Sequence, residues 1–295
     1  MEKLKILQRI NELYANNQNI IKYLKELDGN ERNAIEDILI SYDFQSGTYI
    51  ESYKTNPIQK DEYCNQLAKI LNQLEYRSLL EVGVGEATTL GPLLQRLEVI
   101  PDKCFGFDLS WSRVKFANNF LGELGYENVE LFTGDMFDIP LKDNSIDIVY
   151  SSHSVEPNGG REKEALEELY RITNKYLILL EPSFEFANEE GKSRMREHGY
   201  VTELYATVKD LGYEIIEHRL FEVSSNPLNP TGLMIIRKES DEEVLEPLCC
   251  PVTKTDIIKT ESAYFSSESL LAYPVIQGIP CLLPQNAIVA TKFLV

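Results

Sequence analysis

The sequence predicts a doubly wound α/β domain, preceded by a helical cap and followed by a small appendix. Three observations carry this. The first 76 residues follow a helical period, five short apolar runs after Arg77 alternate with helical stretches, and two further strand-like runs close that region with no helix between them. Such alternation implies parallel strands joined by right-handed crossovers, with helices covering both faces of the sheet.

From Leu4 to Leu27 the apolar residues Leu4, Ile6, Leu7, Ile10, Leu13, Tyr14, Ile20, Ile21, Leu24 and Leu27 recur mostly at three- and four-residue spacing, which predicts amphipathic helix. Glu31 to Ile40 reads the same way. Asp43 to Pro57 holds a Gly, two Tyr and a final Asn-Pro, the signature of a loop followed by a short turn of helix, and Ile58 to Tyr76 is helical again. The strand candidates are Ser78 to Val84, Lys103 to Asp108, Val129 to Thr133, Ile146 to Tyr150 and Tyr176 to Glu181. Glu214 to Val223 and Gly232 to Arg237, separated by SSNPLNPT, predict an antiparallel hairpin at the sheet edge. The acidic stretch ESDEEVLEP reads as a linker or solvated turn before the appendix. The expected division is 1–76 for the cap, 77–238 for the α/β domain and 239–295 for the C-terminal segment, a small α+β domain of marginal size that docks on its neighbour.

At 295 residues the chain suits one large domain or two unequal ones, and 43% apolar against 26% charged residues can bury a sizeable core. Its net charge of −18 disfavours phosphate backbones and anionic lipid, so neither nucleic acid nor a membrane is expected as a partner. The longest apolar runs, such as Tyr176 to Leu180, are too short to span a bilayer, and MEKLKILQRINEL is amphipathic rather than a signal peptide. Five unevenly spaced cysteines form no disulfide framework, which points to a reducing, cytoplasmic setting.

The chemistry-bearing residues fall at strand ends. Glu81-Val82-Gly83-Val84-Gly85-Glu86-Ala87 leaves the first strand, and its glycines allow a tight turn and close approach to a ligand. Ala87 stands where a dinucleotide fingerprint has its third glycine, and no Lys-Ser/Thr of a phosphate loop follows, so the ligand expected here lacks a pyrophosphate. Asp108, followed by Leu109 and Ser110, is placed to accept ribose hydroxyls or to cap a helix. Asp135 and the Met136 amide offer an acceptor and a donor suited to an adenine edge.

With these motifs in order, Arg77 to Lys238 resembles a class I S-adenosylmethionine-dependent methyltransferase. The resemblance implies a seven-stranded mixed sheet and S-adenosylmethionine as cofactor, with S-adenosylhomocysteine as product. It puts Glu81, Gly83, Val84 and Gly85 in the family's first motif, Asp108 and Leu109 at the ribose, Asp135 and Met136 at the adenine, and Ser152 at the end of the fourth strand beside the cofactor. Residues after the fourth strand face the methyl group in this family, and here they read SSHSVEPNGGRE. His153 is the leading candidate for general base or acceptor orienter, with a packing role as the alternative. Glu156 and Asn158 suit a polar acceptor or a simple turn. Glu181, ending the fifth strand, suits an amine or sugar hydroxyl or a helix cap. His198 and Tyr200 extend the candidate acceptor wall, and Tyr49 and Tyr53 are candidate lid residues or anchors between cap and core.

The segment LEPLCCPVTKT with AYPVIQGIPCLLP resembles the zinc-ribbon-like domain that, as a separate protein, activates tRNA and protein methyltransferases. Thr253 breaks the C-x2-C pair, and Cys249, Cys250 and Cys281 supply at most three ligands, so a metal-free module is expected. The functional expectation is methyl transfer to oxygen or nitrogen of a small polar molecule, such as a sugar intermediate of surface-glycan biosynthesis. Protein or peptide methylation, and cofactor binding without catalysis, are the alternatives. The N-terminal helices are expected either to close over the substrate or to form a homodimer interface.

Overall fold

The computed structural model describes every residue except 1, 2, 30–32, 225, 241 and 295. A 3-10 turn (Lys3–Ile6) leads into α1 (Leu7–Ala15) and α2 (Ile20–Asp28), so the single expected helix over Leu4 to Leu27 is broken in two. The break lies in the run Asn16-Asn17-Gln18-Asn19. Asn17 takes a left-handed conformation (φ +56°), and the Asn19 side chain accepts the Lys22 N–H at 3.0 Å, capping α2. Ile10, Ile20, Leu24 and Ile40 close a small core between α1, α2 and α3 (Ile35–Phe44). The expected start of α3 at Glu31 lies outside the described residues.

After α3 comes a further difference: Thr48–Thr55 forms a full two-turn helix, α4, where a loop with a short turn was expected. Its start is made by Gly47 at φ +96° and by a distant carboxylate described below. The next helix, α5, covers Ile58–Leu71 and stops five residues short of Tyr76.

The main sheet then builds in the order β1 (Ser78–Val82), α6 (Leu90–Leu94), β2 (Lys103–Asp108), α7 (Trp111–Glu123), β3 (Glu130–Thr133) and β4 (Ile146–Ser152). It continues with α8 (Glu162–Ile172), β5 (Thr173–Pro182), α9 (Glu189–His198), α10 (Leu204–Asp210), β6 (Glu214–Leu220) and β7 (Thr231–Arg237). The seven strands lie in the order β3-β2-β1-β4-β5-β7-β6. Pairing is parallel from β3 through β5, and β7 runs antiparallel between β5 and β6. This is the mixed seven-stranded sheet that the sequence led us to expect.

Each face of the sheet has its own core. On one, α5, α6 and α7 deliver Leu67, Leu93, Val114 and Phe120 against Leu79, Ile148, Ile178 and Leu233. On the other, α8 and α10 deliver Leu166, Leu169 and Val208 against Val149, Leu177 and Met234. No helix links β3 to β4, so the β3-proximal part of that second face, with Phe105, Phe107 and Phe132, needs another cover.

The C-terminal segment supplies it. Strands β8 (Ile258–Lys259), β9 (Ala263–Ser266), β10 (Leu271–Ile276), β11 (Ile279–Pro280) and β12 (Ile288–Val289) form a small antiparallel sheet; among the described residues its only helical element is a 3-10 turn at Pro284–Asn286. Tyr264, Tyr273 and Leu282 join the core of the main sheet. Thr133 bridges Cys281 in parallel, the Leu282 N–H donates to the Thr133 carbonyl at 3.1 Å, and Lys142 N–H donates to the Pro247 carbonyl at 2.8 Å. The acidic stretch before it is tied down rather than free: Asn174 Nδ2 donates to the Glu242 carbonyl at 3.1 Å and Lys103 Nζ to the Leu245 carbonyl at 2.5 Å. All five cysteines are free, and Cys250 Sγ contacts the Tyr273 hydroxyl at 3.3 Å.

Candidate active site

A cavity of about 510 Å³ opens at the carboxyl ends of β1, β2, β3 and β4, where open α/β sheets bind ligands. Its floor is the turn after β1. Gly83 (φ +65°) and Gly85 (φ +54°) are left-handed, and a Cβ on Gly83 would lie 2.3 Å from that of Ser154, so only glycine fits there. Ala87 adopts the same region at φ +58°, and so performs the third glycine's turn despite its side chain.

Asp108 ends β2 with Oδ2 accepting the Gly85 N–H at 3.0 Å and Oδ1 accepting the Ser110 N–H at 2.9 Å. The N-cap of α7 is Ser110, whose hydroxyl accepts the Arg113 N–H at 3.1 Å, so Asp108 is not spent as a cap. Asp135 Oδ1 accepts the Phe137 N–H at 3.0 Å, and burial raises its carboxyl above the usual range. Glu81, Gly83, Val84, Gly85, Asp108, Leu109, Asp135, Met136 and Ser152 all line this one cavity. The sequence had named these nine for the cofactor. Glu81 is fully buried and its carboxyl is pushed up to about 8, chiefly by burial, with the Lys60 charge opposing. Its Oε2 has no partner, and the Tyr150 hydroxyl beside it does not meet hydrogen-bond geometry.

On the far wall His153 sits in a left-handed conformation (φ +55°) just past β4, its N–H held by the Leu180 carbonyl at 3.0 Å. Its Nδ1 lies 2.7 Å from Glu156 Oε2 and its Nε2 2.8 Å from Thr231 Oγ1. With Glu156 ionised, these partners set the tautomer: Nδ1–H donates to the carboxylate and Nε2 accepts from the threonine hydroxyl. Asn229 Nδ2 donates to the other Glu156 oxygen at 3.0 Å. His153, Glu156, Asn158, Tyr49 and Tyr200 all face the cavity.

Three other candidates do not. Glu181 is buried behind the wall, where it accepts the N–H groups of Ser154, Val155 and Glu156 at 3.0 to 3.2 Å, so it positions the loop instead of meeting an acceptor. Tyr53 turns away, donating to Asp61 Oδ1 at 2.9 Å and packing edge-on against Phe120. His198 is exposed at the end of α9, with Nδ1 2.9 Å from its own helix at the Arg194 carbonyl.

The sequence reading offered Tyr49 for a lid but missed the α3 residues of the roof and the two cations. Ile38, Leu39 and Tyr42 of α3 close the cavity from above. The Glu86 carboxylate accepts the Gly47 N–H at 2.9 Å and the Ile50 N–H at 2.8 Å, pinning the start of α4 onto the glycine turn. Asp43 accepts from the Ser110 and Ser112 hydroxyls at 2.5 and 3.1 Å. Lys60 donates to Thr89 Oγ1 at 3.0 Å, and the Arg113 guanidinium lies over the rings of Tyr42 and Tyr49. Glu86, which directly follows Gly85, and Arg113, in the first turn of the helix after Asp108, had a signal within their own motifs; the others depend on how the cap docks.

Residues 79–175 match the family described as "Methyltransferase domain". Those residues, a third of the chain, are a methyltransferase domain. Such domains take S-adenosylmethionine as methyl donor. Ajmaline N-methyltransferase from Rauvolfia serpentina is 30% identical over 97 residues, which are 32% of this chain and 32% of that protein. The chain therefore matches about a third of the length of this curated relative. Among solved structures, magnesium protoporphyrin IX methyltransferase from Synechocystis with bound SAH is 17% identical, with a TM-score of 0.49 over 68% of this chain and 99% of that one. A SAM-dependent methyltransferase from Aquifex aeolicus is 23% identical, with a TM-score of 0.44 over 57% and 87%.

The residues present fit that donor. Glycine at 83 leaves the close approach that a Cβ would fill, Lys60 and the unpartnered oxygen of Glu81 face the cavity where the amino-acid end would be held, a bound ammonium there favouring the ionised form of Glu81, and Asp108 and Asp135 stand where ribose and adenine are expected.

Proposed function

We propose that this protein transfers a methyl group from S-adenosylmethionine to an oxygen or nitrogen of a small polar acceptor. The observation that carries this reading is the His153–Glu156 pair, 2.7 Å apart, on the wall of the same cavity as Asp108 and Asp135. The donor is already activated as a sulfonium, so the chain must align the partners, exclude water and receive a proton. Asn229 and Thr231 fix the pair from both sides; an acceptor hydroxyl or ammonium that takes the place of the Thr231 hydroxyl at Nε2 gives its proton to that nitrogen, leaving imidazolium beside carboxylate. The roof formed by Ile38, Leu39, Tyr42 and Tyr49 closes the cavity to a volume suited to small molecules, which favours them over a protein or peptide acceptor. A sugar intermediate of surface-glycan biosynthesis is the acceptor class we propose to test first. A cytoplasmic setting agrees with five free cysteines and with the lack, among the described residues, of any helix long and apolar enough to cross a membrane. We also propose the division at 76/77 and 238/239 as the domain boundaries.

The test is to incubate the protein with methyl-labelled S-adenosylmethionine and a panel of nucleotide sugars, sugar phosphates and amino sugars, following label in the acceptor. Label transfer lost in His153→Ala establishes the reading. Tight S-adenosylhomocysteine binding with no transfer to any panel member, but transfer to a peptide library, replaces it by the protein methyltransferase.

A further inference from the structure

We propose that Arg113 is the anion-binding residue of the acceptor site, so that the acceptor of this protein carries a carboxylate or a phosphate. The inference rests on the methyl-transfer reading above. Arg113 projects from the first turn of α7 into the cavity, with only 12% of its side chain exposed. An arginine so enclosed normally spends its donors on a carboxylate or on carbonyls. Here Nε has no partner, and the closest carboxylate oxygen, Asp108 Oδ2, is 3.9 Å from Nη1, beyond hydrogen-bond reach. Asp108 is instead engaged by the Gly85 and Ser110 amides.

What holds Arg113 is aromatic. Its guanidinium carbon is 5.1 Å from the Tyr42 ring centre and 4.7 Å from that of Tyr49. Faces of tyrosine fix the plane of the guanidinium and leave its edge, where the N–H groups are, free to donate. A fixed fork of N–H donors matches the geometry of a carboxylate or phosphate.

The cavity holds two cations, and the methyl donor carries one carboxylate. Lys60, beside Glu81 and Thr89, is the partner for that carboxylate, because Glu81 next to it suits the donor's ammonium group. Arg113 lies between the two parts of the cavity, packed on Gly85 and under Tyr42 and Tyr49, the tyrosines that also feel the charge of Glu156 on the acceptor wall, and remains for an anion that the acceptor brings.

The experiment uses the full chain saturated with S-adenosylhomocysteine, titrated with inorganic phosphate and separately with acetate, followed by calorimetry and by the nitrogen-15 signal of the Arg113 Nε–H. Saturable binding that shifts this signal, weakened about tenfold or more in R113Q and less in R113K, supports the proposal. Stronger phosphate than acetate binding names a phosphorylated acceptor, and the reverse a carboxylic acid. The proposal is overturned if R113Q leaves both anion titrations unchanged. It is equally overturned if R113Q weakens S-adenosylhomocysteine about tenfold while sparing 5′-methylthioadenosine, which lacks the carboxylate, because Arg113 would then read the donor. Failure of the wild-type protein to bind S-adenosylhomocysteine at all is a separate result and removes the underlying reading.

Discussion

Glu86 reaches across 39 positions of sequence to Gly47: one oxygen of its buried carboxylate accepts the Gly47 N–H at 2.9 Å, while the other takes the Ile50 N–H at 2.8 Å. The two amides belong to the start of α4, where no helical carbonyl can serve them. A negative charge there satisfies both donors and complements the helix dipole. The glycine turn and the roof of the cavity are thus joined by one side chain.

Glu86→Gln keeps the shape but presents an NH2 group to one of those amides. A cost of about 1 to 3 kcal/mol is expected, confined to the cap. Amide hydrogen exchange should quicken by about tenfold or more at Gly47 and Ile50, with β1, β4 and β5 unchanged. Equal protection in variant and wild type would mean that other contacts carry the cap.

Asp108 and His153 are expected to separate binding from chemistry. Asp108→Ala should weaken S-adenosylhomocysteine by about tenfold or more in a calorimetric titration, because a ribose hydroxyl loses its acceptor. His153→Ala should leave that affinity within about threefold while lowering methyl transfer by about 100-fold or more. Equal loss of affinity in both variants would sink these roles.

The buried Glu81 makes stability depend on pH. Burial lifts its carboxyl from 4.5 to about 8, so the folded chain holds a proton that the unfolded chain releases between those values. Its contribution is complete below about 4.5 and is lost as pH rises through about 8. Asp135 and Glu181, also raised by burial, add slopes of the same sign. Glu81→Gln should therefore lose less stability than wild type between pH 5.5 and 9, measured as the shift in urea midpoint. An identical shift would assign the dependence to the other two.

Tyr273 is fully buried in the core shared by β10 and the main sheet. Its replacement by Ala should cost about 3 to 5 kcal/mol. Because the core is shared, one melting transition should move as a whole. A second, low-temperature transition would show that the C-terminal module melts by itself.

The strands, and the gathering of the nine strand-end residues in one cavity, were legible because both are local. Lys103 to Asp108 was predicted with the bounds it has, and Asp108 and Asp135 were picked out by standing at strand ends. Helix breaks were harder, since Asn17 turns the chain without a glycine or proline. Glu181 misled because it ends a strand as the others do, yet its side chain turns to the amides of the neighbouring loop. Lys60 and Tyr42 were invisible for a different reason: they reach the cavity only because α3 and α5 dock over the sheet, and that contact leaves no pattern within either helix.

The absence of a helix between β3 and β4 has a consequence for how the chain is made. Phe105, Phe107 and Phe132 leave the ribosome long before Tyr273 and Leu282, which bury with them, have been synthesised. From Thr133 to its partner Leu282 lie 149 positions, and translation at about 5 to 20 residues per second takes roughly 7 to 30 s to cross them. For that interval the nascent protein carries an uncovered aromatic face beside an unpaired strand edge at β3, the combination that invites association with other chains.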